Sequence, residues 1–318
     1  MAAVMRSAVL VAPRRFDVRE VRRPEPGRGQ VRVRLEGCGV CGSNLPVWQG
    51  RPWFEYPRPA GQPGHEAWGR IEAVGPGVSS VAVGDRVAGL TESGFAEAAL
   101  FDEAGLVPLP ASLDRVDVPG EPLACVMNVM ARSDIRAGHT VAVVGIGFLG
   151  AALVQLAAAA GARVIAISRR RHAREVARAM GAWRTFPIDE AGLEEQVHQL
   201  TGGGCDRVIE VVGLQEPLDL AARLTRVRGR LIIAGFHQDG PRQVDMFLWN
   251  WRGLDVINAH ERDRAAYVDG MRRATSALTS GRLDPTPLYS RVPLARIEDA
   301  FQALEGRPDG FVKALITM

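Results

Sequence analysis

The spacing of apolar and polar positions changes character partway along the chain. In the first third, short β-like runs such as Ala8–Val11, Gln30–Leu35, Trp68–Val74 and Asp85–Ala88 are broken by the turn segments Pro24–Gly29 and Gly75–Gly77. Runs of this length with glycine and proline between them predict short strands packed as a compact β-domain of the barrel type. From His139 onward, apolar strands alternate with helical stretches: Thr140–Val144 then Ala151–Ala160, Arg163–Ile167 then His172–Met180, Arg207–Val212 then Leu218–Leu224, and finally Arg230–Ala234. That alternation predicts an α/β region with a parallel, doubly wound sheet. The remainder holds one amphipathic helix, Tyr267–Thr279, and strand-like runs at Leu288–Pro293 and Phe311–Met318. It is too small for a domain and is expected to return to the first one. The expected division is therefore residues 1–124 with 266–318, and residues 125–265.

Composition supports two domains, because 318 residues exceed the size at which one hydrophobic core usually stops growing. With 47% hydrophobic and 24% charged residues the chain reads as an ordinary globular protein. Four cysteines make no disulfide framework, so nothing suggests an oxidising compartment. The apolar stretch near the N-terminus, Ser7–Pro13 at most, is shorter than a secretory h-region. No segment approaches the ~20 apolar residues of a membrane span. A cytoplasmic enzyme with no membrane partner is the expectation. The formal charge of +3 rests almost wholly on arginine, since Lys313 is the only lysine, and acidic residues are interspersed throughout. Without a basic arm or a stacking motif, no nucleic-acid partner is expected.

Val141–Val144 leads into Gly145-Ile-Gly-Phe-Leu-Gly150 and then an Ala-rich helix. A strand, a GxGxxG turn and a helix in that order predict a dinucleotide site. Gly145 allows the tight turn, Gly147 lets the backbone approach a pyrophosphate, and Gly150 permits close helix–strand packing. The helix start at Phe148 and Leu149 presents unpaired N–H groups and a positive dipole end to the phosphates. The next strand should end in the carboxylate that reads a ribose 2′-hydroxyl. It ends instead in Ser168-Arg-Arg-Arg171. With no carboxylate and several guanidiniums, the site suits a 2′-phosphate. NADP(H) is favoured over NAD(H), with Arg169 as the main discriminator.

Residues 37–44, GCGVCGSN, place Cys38 and Cys41 three positions apart. A redox pair would need a helix N-terminus to lower a thiol pKa, and here the pair precedes a Gly-Ser-Asn turn in the β-domain. A four-cysteine structural zinc would need two close pairs, but Cys125 and Cys205 lie far apart in the chain. Other metal-ligating types follow in Gly64-His-Glu66 and in Glu121-Pro-Leu-Ala-Cys125.

Taken together, Gly39-Val-Cys-Gly-Ser43, Gly64-His-Glu66, Val83-Gly-Asp-Arg-Val87, Glu121-Pro-Leu123 and Gly145–Gly150 make nearly the whole chain resemble a zinc-dependent medium-chain dehydrogenase/reductase. The similarity is greatest to the sorbitol and threonine dehydrogenase-like branch. The resemblance implies a GroES-like β-domain and a Rossmann domain, with the active site in the cleft between them. It implies one catalytic zinc per chain, held by Cys41 and His65, with Glu66 binding the metal or sitting just behind it. Glu121, 24 residues before Gly145, matches where this branch places a glutamate near the metal, and Cys125 is the competing candidate. Three protein ligands leave zinc an open position for an alcohol or carbonyl oxygen, and hydride passes to or from nicotinamide. Ser43 stands where the family has the hydroxyl that takes the substrate proton; capping the following turn is its alternative role. Cys38 is then a strand residue facing the interior.

Two positions depart from the family pattern. Asn44 replaces the aspartate that orients the zinc histidine, and its side-chain carbonyl is expected to accept that N–H instead. Pro46 stands where many relatives have a histidine that completes a proton relay, so another route is needed. Two aromatic groups are candidates for a substrate wall: Trp48, Trp53, Phe54 and Tyr56, and Phe247, Trp249 and Trp251. The reading is an NADP-dependent alcohol or polyol dehydrogenase. The alternatives are a zinc-free enone or quinone reductase of the same superfamily and a non-catalytic nucleotide-binding redox sensor. A homodimer or homotetramer is expected from the family and from the apolar strands Arg230–Ala234 and Leu254–Asn258 at the sheet's end.

Overall fold

The structure, a computed structural model, describes residues 3–318. The chain forms two compact units. One holds the residues up to Ala124 together with Asp263–Thr279 and Pro285–Met318; the other holds Cys125–Arg262 and Ser280–Asp284.

The first unit begins with β1 (Val4–Ala12), β2 (Arg15–Arg22), β3 (Gln30–Gly39), helix α1 (Leu45–Gln49), β4 (Glu66–Val74), β5 (Arg86–Gly89), β6 (Ala98–Asp102) and β7 (Leu106–Pro108). Helix α2 (Gly120–Ser133) follows. The second unit continues with β8 (Thr140–Val144), α3 (Phe148–Ala159), β9 (Arg163–Ile167), α4 (Arg171–Ala179), β10 (Arg184–Phe186) and α5 (Leu193–Thr201). It is completed by β11 (Cys205–Glu210), α6 (Gln215–Leu224), β12 (Thr225–Ile233), α7 (Met246–Arg252) and β13 (Asp255–Asn258). The chain returns to the first unit through α8 (Arg264–Thr279), β14 (Tyr289–Pro293), α9 (Ile297–Gly306) and β15 (Lys313–Thr317).

In the first unit β1 and β2 form a hairpin, and a seven-stranded sheet runs β14-β15-β3-β4-β5-β7, with β6 also pairing β3. β3 shows why it is a strand: Val31, Val33 and Leu35 face inward while the residues between them carry polar groups outward. Those three pack with Leu10, Phe95, Phe101 and Phe301 in one core, each contributing about 1.5–3 kcal/mol by its burial. α9 was not anticipated, although Ile297, Ala300, Phe301 and Leu304 recur at helical spacing and are all buried.

In the second unit six strands run in the order β10-β9-β8-β11-β12-β13, and every neighbouring pair is parallel. This is the doubly wound order, with the switch point between β8 and β11. Strands covered on both faces read as unbroken apolar runs, and Val141–Val144 are wholly buried. Of the two apolar runs at this end of the sheet, β13 is the edge strand, while residues 230–233 belong to β12, which sits between β11 and β13. Among the described residues, no helix is long and apolar enough to cross a membrane.

Candidate active site

Strand register builds the first cluster. β3 and β4 pair antiparallel with Gly39 opposite Glu66, which brings His65–Glu66 beside the end of β3, where the chain leaves the sheet at Cys41. A 3-10 turn, Gly42–Asn44, then leads into α1, with Pro46 in its first turn where a missing N–H costs nothing. Ligand atoms of Cys41, His65 and Glu66 all lie within 4.8 Å of one another.

Hydrogen bonds fix this cluster. His65 Nδ1 lies 3.0 Å from the Pro63 carbonyl, which can only accept, so the second ring nitrogen is left for Cys41 or a metal. Asn44 does not take the role expected of it: its Oδ1 accepts from the Cys41 N–H at 2.9 Å and its Nδ2 donates to Pro63 O at 3.0 Å. Asn44 therefore fixes the Cys41 backbone, and a carbonyl two residues upstream orients the histidine. Burial disfavours a charged His65, but its bond to Cys41 and the charges of Cys41, Glu121 and Glu66 outweigh this and raise its pKa well above the usual value. Glu121, in the first turn of α2, thus acts electrostatically on the cluster. Cys125 is half-buried one turn further along the same helix.

Behind the cluster, Glu66 Oε2 lies 2.6 Å from Lys313 Nζ, with both side chains buried, and Nζ also donates to Val40 O at 3.2 Å. Lys313 was missed from sequence. Its signal was there: the chain's only lysine lies on an otherwise apolar strand. Cys38 is wholly buried on β3, where burial and then the Glu66 charge push its thiol well above the usual range. It is no partner for a reactive Cys41. The Ser43 hydroxyl makes no hydrogen bond among the described residues, and the N-cap of α1 is Asn44, so Ser43 is not spent on capping.

The aromatic groups divide. Trp48 is a core residue, packed 5.7 Å from Phe301 and covered by the Arg14 guanidinium at 4.7 Å, so it lines no open wall. Phe54 and Tyr56 pack against the same core, and Trp53 is exposed. In the second unit Trp249 packs against the sheet core, while Phe247 and Trp251 stack on each other and are 76% and 78% exposed.

The second cluster is the glycine turn after β8. Gly145 adopts φ +105°, and its N–H bonds Ile167 O at 2.9 Å, joining the turn to the end of β9. A Cβ on Gly150 would lie 2.0 Å from Gly145 O, so only glycine lets α3 start this close. Phe148 and Leu149 form its first turn, with Gly147 as N-cap. At the end of β9, Ser168 is buried and Arg169 is exposed, with no hydrogen bond or ion pair from its guanidinium among the described residues. Arg171 instead pairs with Glu175 at 2.8 Å, and Arg174 caps the carbonyls of Ser168 and Arg169 at 2.9 Å. Arg170 leans over the turn, 3.5 Å from Ile146 O.

Comparison with known proteins finds relatives for both units. Residues 27–111 match the alcohol dehydrogenase GroES-like domain family and residues 149–275 the zinc-binding dehydrogenase family. The chain is 28% identical to a 2-dehydro-3-deoxy-L-galactonate 5-dehydrogenase of Pseudoalteromonas atlantica, covering 98% of each chain. It is 30% identical to a sorbitol dehydrogenase of Halalkalibacterium halodurans, over 69% of this chain and 73% of that one. Among solved structures, a protein of Sinorhizobium meliloti 1021 assigned as a zinc-binding dehydrogenase and bound to NADP superposes with TM-score 0.86 at 28% identity, covering 99% of this chain and 100% of that one. An alcohol dehydrogenase of E. coli CFT073 complexed with NADH gives TM-score 0.88 over the whole of both chains, but at 24% identity speaks for the fold alone.

Proposed function

The chain belongs to the zinc-type medium-chain dehydrogenase/reductases, and on that premise we propose that it is an NADP(H)-dependent alcohol or polyol dehydrogenase holding one catalytic zinc. The observation that carries this reading is that the Cys41 thiol and the His65 imidazole bring donor atoms within 4.8 Å of one another, with the Glu66 carboxylate in the same cluster. Thiolate, imidazole and carboxylate are the donor types zinc takes.

Charge favours one ligand set. Lys313 already neutralises Glu66, so the Cys41 thiolate and the Glu121 carboxylate offset a divalent ion between them. We therefore assign the ligands as Cys41, His65 and Glu121, with Glu66 behind them. Bound in the protein, zinc and nicotinamide supply a Lewis acid toward an alcohol or carbonyl oxygen and a hydride acceptor or donor. Pro63 O holds the His65 tautomer, Asn44 holds the Cys41 backbone, and the uncommitted Ser43 hydroxyl takes the substrate proton. Along the turn Gly145–Gly150 the backbone seats the pyrophosphate, and Arg169 meets the ribose 2′-phosphate. Four free cysteines fit a reducing compartment such as the cytoplasm. The open edge of β13 and the exposed Phe247–Trp251 pair on the helix that precedes it fit a homodimer or homotetramer.

The test is NADP+ reduction across sugars, polyols, amino alcohols and aromatic alcohols, with zinc quantified in the same preparation. One zinc per chain and turnover with a member of the panel are expected. Full activity in protein stripped of zinc would reject the metal assignment.

A further inference from the structure

At the carboxyl ends of β11 and β12, two loops are tied together by side chains that the proposed chemistry leaves unused. Glu210, the last residue of β11, is wholly buried. Its Oε1 accepts the backbone N–H groups of Val212 at 2.6 Å and Gly213 at 2.8 Å. Its Oε2 lies 3.2 Å from His237 Nε2, and Arg242 Nε lies 2.9 Å from His237 Nδ1. A guanidinium only donates, so Nδ1 accepts, Nε2 carries the ring proton, and that proton goes to Glu210. Both ring nitrogens are committed, and His237 is a bridge with no nitrogen open for acid–base work. Arg242 reaches further, donating from Nη2 to Gly213 O at 2.8 Å and pairing with Asp239. The backbones meet as closely as the side chains do. A Cβ on Gly235 would lie 2.3 Å from Gly213 N and 2.6 Å from Glu210 Oε2.

The position of this network within the sheet matters. A Cβ on Gly145 would lie 2.4 Å from Val212 Cγ2, so the loop after β11 presses on the glycine turn. It does so on the opposite side of β8 from β9, whose end carries Ser168 and Arg169. A dinucleotide crosses a doubly wound sheet at its switch point, with one mononucleotide over each half. If the adenosine ribose is read at the end of β9, the second mononucleotide falls over β11 and β12.

We propose that Glu210, His237 and Arg242 are positioning residues that hold loops 211–213 and 235–242 as one seat for the nicotinamide–ribose half of the cofactor. This rests on the dinucleotide reading of the turn Gly145–Gly150.

Titration of the zinc-loaded protein with NADPH and with adenosine 2′,5′-bisphosphate, which lacks both nicotinamide and its ribose, separates the two halves; NADH and AMP replace them if wild type prefers NAD(H). His237→Leu removes both bonds of the bridge. It is expected to weaken dinucleotide binding about tenfold, the equivalent of one lost hydrogen bond, and to leave binding of the adenosine-half ligand unchanged. Arg242→Met should do the same. His237→Gln, whose amide offers the same donor and acceptor, should recover most of the loss. Equal weakening of both ligands would mean general damage to the unit and would overturn the proposal, as would unchanged dinucleotide binding in His237→Leu. If wild type binds neither ligand, the dinucleotide reading fails first and this one falls with it.

Discussion

Replacing Lys313 tests how the metal cluster is built. Its side chain is 5% exposed and that of Glu66 1% exposed. Burial works against a charged Lys313, but Glu66, then Cys41 and Glu121, outweigh it and raise its pKa above the usual value. Lys313→Met keeps most of the stem and removes the charge, leaving Glu66 buried without its counter-charge. Breaking one side of such a pair costs about 3–5 kcal/mol. Glu66→Gln in the same background removes the second charge at nearly constant shape, so the double variant should be more stable than the sum of the single losses predicts. The coupling expected for groups in contact is about 0.5–3 kcal/mol. Urea unfolding of the zinc-free protein gives these energies from the midpoints when the slopes agree, and the buried Trp48 and Trp68 report on this unit by fluorescence. A loss below about 1 kcal/mol in Lys313→Met, or strict additivity, would contradict the pairing energetics of a buried ion pair.

Cys41→Ser should lose zinc and turnover while keeping the fold, whereas Cys38→Ser should keep both and lose about 1–3 kcal/mol for a hydroxyl buried in the core; equal zinc loss in the two variants would sink the ligand assignment. Arg169→Ala should lower kcat/KM for NADP+ about 10- to 100-fold, the worth of one charge-assisted hydrogen bond, with little change for NAD+; a wild type that prefers NAD+ would reject the ribose reading. Burial disfavours the Asp206 carboxylate, but the Thr140 N–H at 2.8 Å and then Arg226 outweigh it and lower its pKa. Its stabilising contribution is therefore present above about pH 4, the ordinary Asp value, and lost as pH falls through the lowered one; Asp206→Asn should remove that part of the acid slope in thermal melts. Trp251→Glu should shift the assembly toward monomer in light scattering, and a wild type already monomeric at micromolar concentration would refute the interface.

What could be read from the sequence follows how local each signal is. The second unit was legible because its strands are covered on both faces, so Val141–Val144 and Val164–Ile167 stand out as apolar blocks between helices. The glycine turn was legible because its pattern is local, with Gly147 capping α3 and Gly150 packed against Gly145 O, although Gly145 also answers to Val212 across the sheet. β12 was partly missed because its first half, Thr225–Gly229, is mostly exposed and polar and carries no period. The metal cluster depends on something no local pattern encodes, the register that sets Gly39 opposite Glu66. Residue types at Cys41 and His65 gave the chemistry, but not which carbonyl would orient the imidazole. Asn44 had the right groups for that task, and the backbone at Pro63 took it instead. Lys313 meets Glu66 only because β15 pairs with β3, a contact between the two ends of the chain. Such a partner leaves one trace in the sequence: a charge on a strand that should be apolar, of a type the chain otherwise avoids. A buried charge is tolerated only where an opposite one waits, so that anomaly could have been read as the far half of an ion pair before any fold was known.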